Sequence, residues 1–182
     1  VENLRDASQG EAVARAGVDW VGAILSEDRR KNQVDHLGEA WAQQVALPVE
    51  RGRVVGGISD SQARFNLNNL VRAGQVSSAD VAAFQRLLNQ LELPATLVNA
   101  LIDWLDADNL PDGADGAEDT YYLALPEPYY PANRALVDLS ELPMLRGFDQ
   151  AIVDKLTPFV CVLPNPTPVN VNTASAEVLA AV

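Results

Sequence analysis

Cysteine, histidine and methionine each occur once in this chain, as Cys161, His36 and Met144. A single cysteine excludes a disulfide within the chain and any C-x-x-C redox or zinc motif. Nucleophilic catalysis needs a base beside the nucleophile and a third group to orient that base. His36 sits in a polar stretch far along the chain from Cys161, and no third member can be named. Ser59 and Ser61 lack the G-x-S-x-G setting of a nucleophile elbow. Gly56-Gly57 is not followed by the Lys-Ser/Thr of a phosphate loop. The chain is therefore read as a non-enzyme. Basic residues are also scarce, 13 against 25 acidic ones, for a net charge of −12. Nucleic-acid affinity rests on neutralising phosphates with Lys and Arg, so this balance argues against DNA or RNA. Long hydrophobic runs are missing too: no stretch of eighteen apolar residues suggests a membrane span, and no signal peptide is visible.

What is present is a globular composition, with 48% hydrophobic and 21% charged residues, enough for a sizeable core. Val13, Gly17, Trp20 and Ile24 recur at helical spacing, with Val21 and Leu25 beside them, and predict a long amphipathic helix ending in the polar stretch 26–33. A second short helix is expected over 34–46, before Pro48. From Val49 to Ile58 β-branched residues and glycines predict one or two strands. Residues 63–68 alternate as a half-buried strand with Phe65 and Leu67 on one face. Ser77-Ser78-Ala79-Asp80 opens a helix in the manner of a capping box, with Val81, Phe84, Leu87, Leu88 and Leu91 as its apolar stripe. Pro94 opens another helix, which carries Leu97, Leu101, Ile102, Trp104 and Leu105. Short helices are expected over 139–145, closed by Gly147, and over 150–156. Val169-Asn170-Val171-Asn172 reads as a returning strand, and Ser175 as the cap of a last helix. Trp20, Trp41 and Trp104 are taken as core anchors, and the apolar neighbours of Cys161 predict that it is buried. The β-like segments flank a long helical stretch, an α+β arrangement with a helical insertion.

The sharpest chemical feature is an acidic loop. Asp106, Asp108, Asp112, Asp115, Glu118 and Asp119 lie close together, mixed with Gly113 and Gly116. Crowded carboxylates repel unless water or a cation neutralises them, and Ca²⁺ takes six to eight oxygen ligands of this kind. Glycines let the backbone curl so that its carbonyls face inward. The loop is no EF-hand, because Leu110 and Pro111 stand where a ligand and a glycine belong. A solvated acidic turn is the alternative; zinc is disfavoured because no His or Cys lies nearby. Two segments, 140–148 and 172–179, resemble helix-hairpin-helix units. Such hairpins usually present N–H groups to DNA, but with this charge a packing role is preferred.

Several stretches together resemble one family. Asp60-Ser61-Gln62-Ala63-Arg64-Phe65-Asn66-Leu67-Asn68-Asn69-Leu70 is similar to the D-x-x-x-R-F-N-L-N-x-L signature of general secretion pathway protein K, the large minor pseudopilin of type II secretion. Asp103-Trp104-Leu105-Asp106-Ala107-Asp108 resembles its next element. Gly116-Ala117-Glu118-Asp119 with Tyr121-Tyr122, then Pro131-Ala132-Asn133-Arg134, Ser140-Glu141-Leu142 and Val169-Asn170-Val171-Asn172-Thr173-Ala174 follow in order. The resemblance implies a pilin-like core, with a long N-terminal helix packed on an antiparallel sheet, and a large inserted α-helical domain of helix-hairpin-helix or SAM-like type. The implied division is 1–70 for the core, 71–164 for the insertion and 165–182 for the return to the core. It implies a periplasmic tip subunit binding I-type and J-type minor pseudopilins, anchored to the inner membrane by a helix segment outside this chain. It also implies structural Ca²⁺ in the helical domain, with the six acidic residues above as candidate ligands. The chain begins without Met and stops inside an apolar helical pattern, so both ends read as cut. A cysteine beyond Val182 is a conceivable partner for Cys161. The readings from other classes are a stand-alone Ca²⁺-regulated binding module and a helix-hairpin-helix DNA binder.

Overall fold

The computed structural model describes the backbone of residues 2–49 and 52–182 and the side chains of residues 10–46 and 53–182. The chain divides into two compact units, residues 1–60 and 61–182. Its described residues mix helices with three two-stranded sheets. Among the described residues no helix is long and apolar enough to cross a membrane.

In the first unit, α1 spans Glu2–Lys31. Its exposed side carries i,i+4 ion pairs, Arg15 to Glu11 at 2.7 Å and Lys31 to Glu27 at 3.6 Å. Such exposed pairs each add only a few tenths of a kcal/mol to a helix. Strands β1 (Val45–Val49) and β2 (Gly52–Gly56) form an antiparallel hairpin in which Leu47 pairs with Val54. The helix expected over 34–46 is not formed. A single 3₁₀ turn at Ala40–Ala42 and the start of β1 take its place. The reason is Glu39, which gathers the chain into a tight turn. Its carboxylate accepts from Asn32 Nδ2 at 2.7 Å, His36 N at 2.9 Å and Trp41 Nε1 at 2.8 Å. These bonds hold its carboxyl down at about 2. Trp41 is 4% exposed, as an anchor should be, but Trp20 is 41% exposed. It lies on the rim of an apolar cleft of ≈ 260 Å³ between α1 and the hairpin, which Gly17, Ile24, Val54 and Ile58 also line.

In the second unit, β3 (Phe65–Asn66) runs parallel to β6 (Val160–Cys161). The expected alternating strand is only these two residues long. A 3₁₀ turn at Leu67–Asn69 follows, and all of residues 65–70 are buried. Three asparagines explain how a buried polar run is tolerated. Asn66 donates to Asn165 O at 3.0 Å and accepts from Leu163 N at 3.1 Å. Asn68 donates to the carbonyls of Leu136 and Leu163, both at 3.0 Å, and accepts from Leu136 N at 2.9 Å. Asn69 donates to Thr167 O at 2.9 Å and accepts from Thr167 N at 3.0 Å. Each carboxamide imitates a strand partner, so distant loops are stitched to one point beyond the short β3–β6 pairing. Strands β4 (Val71–Arg72) and β5 (Gln75–Val76) form a tight hairpin turned by Ala73 and Gly74, both at positive φ.

Helix α2 spans Ser78–Gln90 and α3 spans Leu97–Leu105. At the start of α2 the Ser77 hydroxyl donates to the Asp80 carboxylate rather than capping a backbone N–H. Arg72 pairs with the same carboxylate at 2.8 Å. Pro94 lies three residues ahead of α3, whose first backbone bond is Leu97 N to Pro94 O. Phe84, Leu87 and Leu88 of α2 and Leu101 of α3 are fully buried, and Phe65 stacks on Phe84 with centroids 5.6 Å apart. A short helix, α4, covers Asp119–Tyr122. The helix expected over 139–145 is a 3₁₀ segment, Leu139–Met144, because Pro143 cannot donate to an α-helical ladder. Asp138 and Glu141 close it with a capping box. Helix α5 spans Gln150–Leu156, and α6 spans Ala176–Ala181, capped by Ser175. The returning strand expected at 169–172 is absent among the described elements. After one strand-like bond, Asn170 N to Gln62 O, the Asn170 side chain and carbonyl turn the chain instead. Phe65, Leu67 and Leu70, assigned by sequence to the first segment, lie in the core of this second unit. Residues near the chain end pack here as well, since Ala181 joins the same core and its carbonyl accepts from Arg86 Nε at 2.7 Å.

Candidate cation site

Helix α3 is buried on nearly every side, Asn99 alone being half-buried, and its last turn carries Asp103 into the interior. Asp106 follows as the helix C-cap. The macrodipole is negative at this end of a helix, so carboxylates here raise rather than relieve the demand for positive charge. The chain then loops out and returns at Glu118, just before α4. Asp103 fixes both limbs of the loop: Oδ1 accepts from Asp112 N at 2.8 Å, and Oδ2 from Ala117 N at 2.5 Å. Gly113 takes a φ of 71°, the curl expected of a loop glycine. Gly116 is needed for space, because a Cβ there would stand 2.5 Å from Asp103 Oδ2 and 2.6 Å from Asp112 N. Arg146 buttresses the outside. Its Nη1 donates to Gly116 O at 2.8 Å, and its guanidinium lies 4.9 Å from the Tyr121 ring centroid.

This folding brings Asp106, Asp108 and Glu118 together, with one carboxylate oxygen of each within 4.8 Å of the others. Three oxygens at that limit lie about 2.8 Å from their common centre, so a cation with Ca²⁺–O distances of ~2.4 Å needs them to close in by only a few tenths of an ångström. Glu118 is only 2% exposed, yet neither of its carboxylate oxygens has a hydrogen-bond partner; Asp106 Oδ1 is equally buried and unpartnered. Buried carboxylates are normally paired or bound to metal. Burial, then repulsion from Asp103, Asp106, Asp108 and Asp119, pushes the Glu118 carboxyl up to about 7. Burial, then Asp108 and Asp103, pushes Asp106 up to about 6. Asp103 is raised by burial as well, with its two backbone bonds working in the opposite direction.

The other three acidic candidates lie outside that trio. Asp112 and Asp115 are exposed. Asp119 exchanges hydrogen bonds of 3.2 Å with the Asn109 side chain, in both directions. Sequence reasoning passed over two residues. In the sequence Asp103 stands only as a motif letter, because on α3 it falls beside Asn99 and opposite the leucines, and its burial comes from the loop folded over it. Asn133 likewise stands in the sequence only as a motif letter. Its Nδ2 donates to the Asp108 carbonyl at 3.2 Å, and its buried Oδ1 has no partner. A second acidic trio, Asp28, Asp35 and Glu39, occurs in the first unit. There Glu39 is already saturated by three donors, so that trio lacks the orphaned oxygens of the loop. The hairpin over 140–148 directs its Arg146 onto the loop, in keeping with a packing role.

Fold and site together define a mixed helical protein with small sheets, whose buried polar centre is a cluster of carboxylates with unpartnered oxygens. The family profile of type II secretion system protein K matches residues 63–165, and the chain belongs to that family. Type II secretion system protein K of Pseudomonas aeruginosa is 44% identical over 181 residues, covering 92% of this chain and 54% of its own length. The Klebsiella pneumoniae protein of the same name is 42% identical over 184 residues, covering 94% of this chain and 56% of its own. The chain thus spans about half the length of the curated relatives it matches. A chain in the crystal structure of the GspK-GspI-GspJ complex from the enterotoxigenic Escherichia coli type 2 secretion system superposes with a TM-score of 0.89 at 28% identity. The match covers 99% of this chain and 68% of that one.

Proposed function

We propose that this chain is part of a structural minor pseudopilin that assembles with I-type and J-type minor pseudopilins at the tip of the type II secretion filament, on the periplasmic side of the inner membrane. Its work is assembly and not catalysis. The observation that carries the reading is the likeness, over 99% of the chain, to a member of a complex named for the K, I and J proteins. In this reading α1 and the β1–β2 hairpin belong to a pilin-like core, consistent with the apolar cleft between them, and the second unit is the helical insertion. Asp106, Asp108 and Glu118 hold one Ca²⁺, while Asp112, Asp115 and Asp119 add negative potential around the loop. The orphaned oxygens of Glu118 and Asp106 support that assignment. A standard interface of about 1,200–2,000 Å² is expected for each partner. Co-expression of tagged chain with I-type and J-type pseudopilins tests the assembly: a ternary complex should co-purify, and recovery of the tagged chain alone would refute it.

A further inference from the structure

We propose that Asp103 is the positioning residue of the cation site, acting through the loop backbone rather than by touching the ion; this rests on the Ca²⁺ reading above. Asp103 is 0% exposed, and no basic side chain pairs with it among the described salt bridges. A buried carboxylate without a cationic partner is costly unless its oxygens are hydrogen-bonded. Both of its oxygens already accept backbone N–H groups, from Asp112 and Ala117. The second of these amides immediately precedes Glu118, and Asp106 lies one helical turn beyond Asp103 on α3. One side chain therefore ties together the two limbs that carry the ligands. Gly116 leaves no room between them.

An amide cannot replace this carboxylate, because one of the two loop N–H groups would then face an NH₂. Lost outer-shell partners typically lower metal affinity 10–100-fold. The test uses the 182-residue chain, with Ca²⁺ titrated by calorimetry and Tb³⁺ as a luminescent substitute excited through Trp104, the next residue in the chain. Asp103→Asn should bind Ca²⁺ 10–100-fold more weakly with unchanged stoichiometry, and Tb³⁺ lifetimes in H₂O and D₂O should reveal at least one additional bound water. Gly116→Ala, which crowds the same junction from the other side, should give the same two changes. It also serves as the second probe should Asp103→Asn not fold. A residue that only supports the fold would lower the melting temperature without altering the Tb³⁺ water count. Wild-type affinity and water count in both variants would overturn the positioning role while leaving the metal reading intact. Absence of Ca²⁺ binding by the unsubstituted chain would overturn the metal reading itself.

Discussion

Replacing Glu118 by Gln should invert the chain's response to calcium. Without metal at pH 8, Glu118 is ionised, 2% exposed and unpartnered. Its carboxyl sits at about 7 against an ordinary 4.5, a burden of about 3 kcal/mol at ~1.4 kcal/mol per unit. Gln removes that charge at nearly the same volume but leaves an unpaired amide, which costs back about 1–3 kcal/mol. The metal-free variant should therefore be about 1 kcal/mol more stable than the parent, about 4 °C in melting temperature for a unit of this size. Calcium at a hundred times the parent's Kd adds about 2.7 kcal/mol, about 10 °C. Losing a direct carboxylate ligand should cost at least the ~100-fold that lost outer-shell partners reach. At the same calcium concentration the variant then gains only about 0.4 kcal/mol. The order of melting temperatures should thus reverse between EDTA and calcium, as read by scanning fluorimetry. An equal calcium-induced rise in both proteins would show that Glu118 is no ligand. A variant less stable in EDTA would show that its charge is compensated in the metal-free fold.

The remaining predictions follow from the same geometry. In EDTA the folded state holds Glu118 at about 7 and Asp106 at about 6, both above their ordinary values. It therefore binds more protons than the unfolded chain between about pH 4 and 7, so stability should rise as pH falls through that window. Calcium competes with those protons, so its affinity should drop below about pH 7; a pH series of denaturation and calorimetry checks both signs. Asn68→Ala removes three hydrogen bonds and orphans the Leu136 N–H, so urea unfolding should show a loss of about 2–3 kcal/mol. Leu87→Ala, in the fully buried face of α2, should cost about 2–5 kcal/mol. That loss should be the same in EDTA and in calcium, which makes it the control for the Glu118 experiment.

What the sequence revealed was set by how local the cause was. Helices α1, α2, α5 and α6 follow from apolar periodicity and, in α5 and α6, from N-cap side chains, so their existence was legible. The failures have distant causes. Val169-Asn170-Val171-Asn172 has the composition of a strand, but Asn170 spends its side chain and carbonyl on turns. Residues 34–46 have helical character, but Glu39 captures donors on both sides and folds the stretch back. Residues 65–70 alternate in sequence but not in burial, since Asn66, Asn68 and Asn69 are buried together with their apolar neighbours. Their partners lie about 70 to 100 positions away, beyond any local pattern.

The same distinction separates the acidic loop into buried and solvated carboxylates. Spacing marked six carboxylates without ranking them, because nearness in sequence says nothing about which oxygens are desolvated. The ranking comes from Asp103, a residue that spacing did not select. By holding the amides of Asp112 and Ala117, it turns Glu118 inward while Asp112 and Asp115 stay in water. Desolvation then raises Glu118 and Asp106 and makes them the groups with most to gain from a cation. A site of this kind couples metal binding to the path of the chain between α3 and α4. Calcium should therefore protect backbone amides in residues 106–119 from hydrogen exchange more than those of α2, whose bonds are complete without it. Uniform protection across both segments would mean that the ion stabilises the unit globally and does not act through this loop.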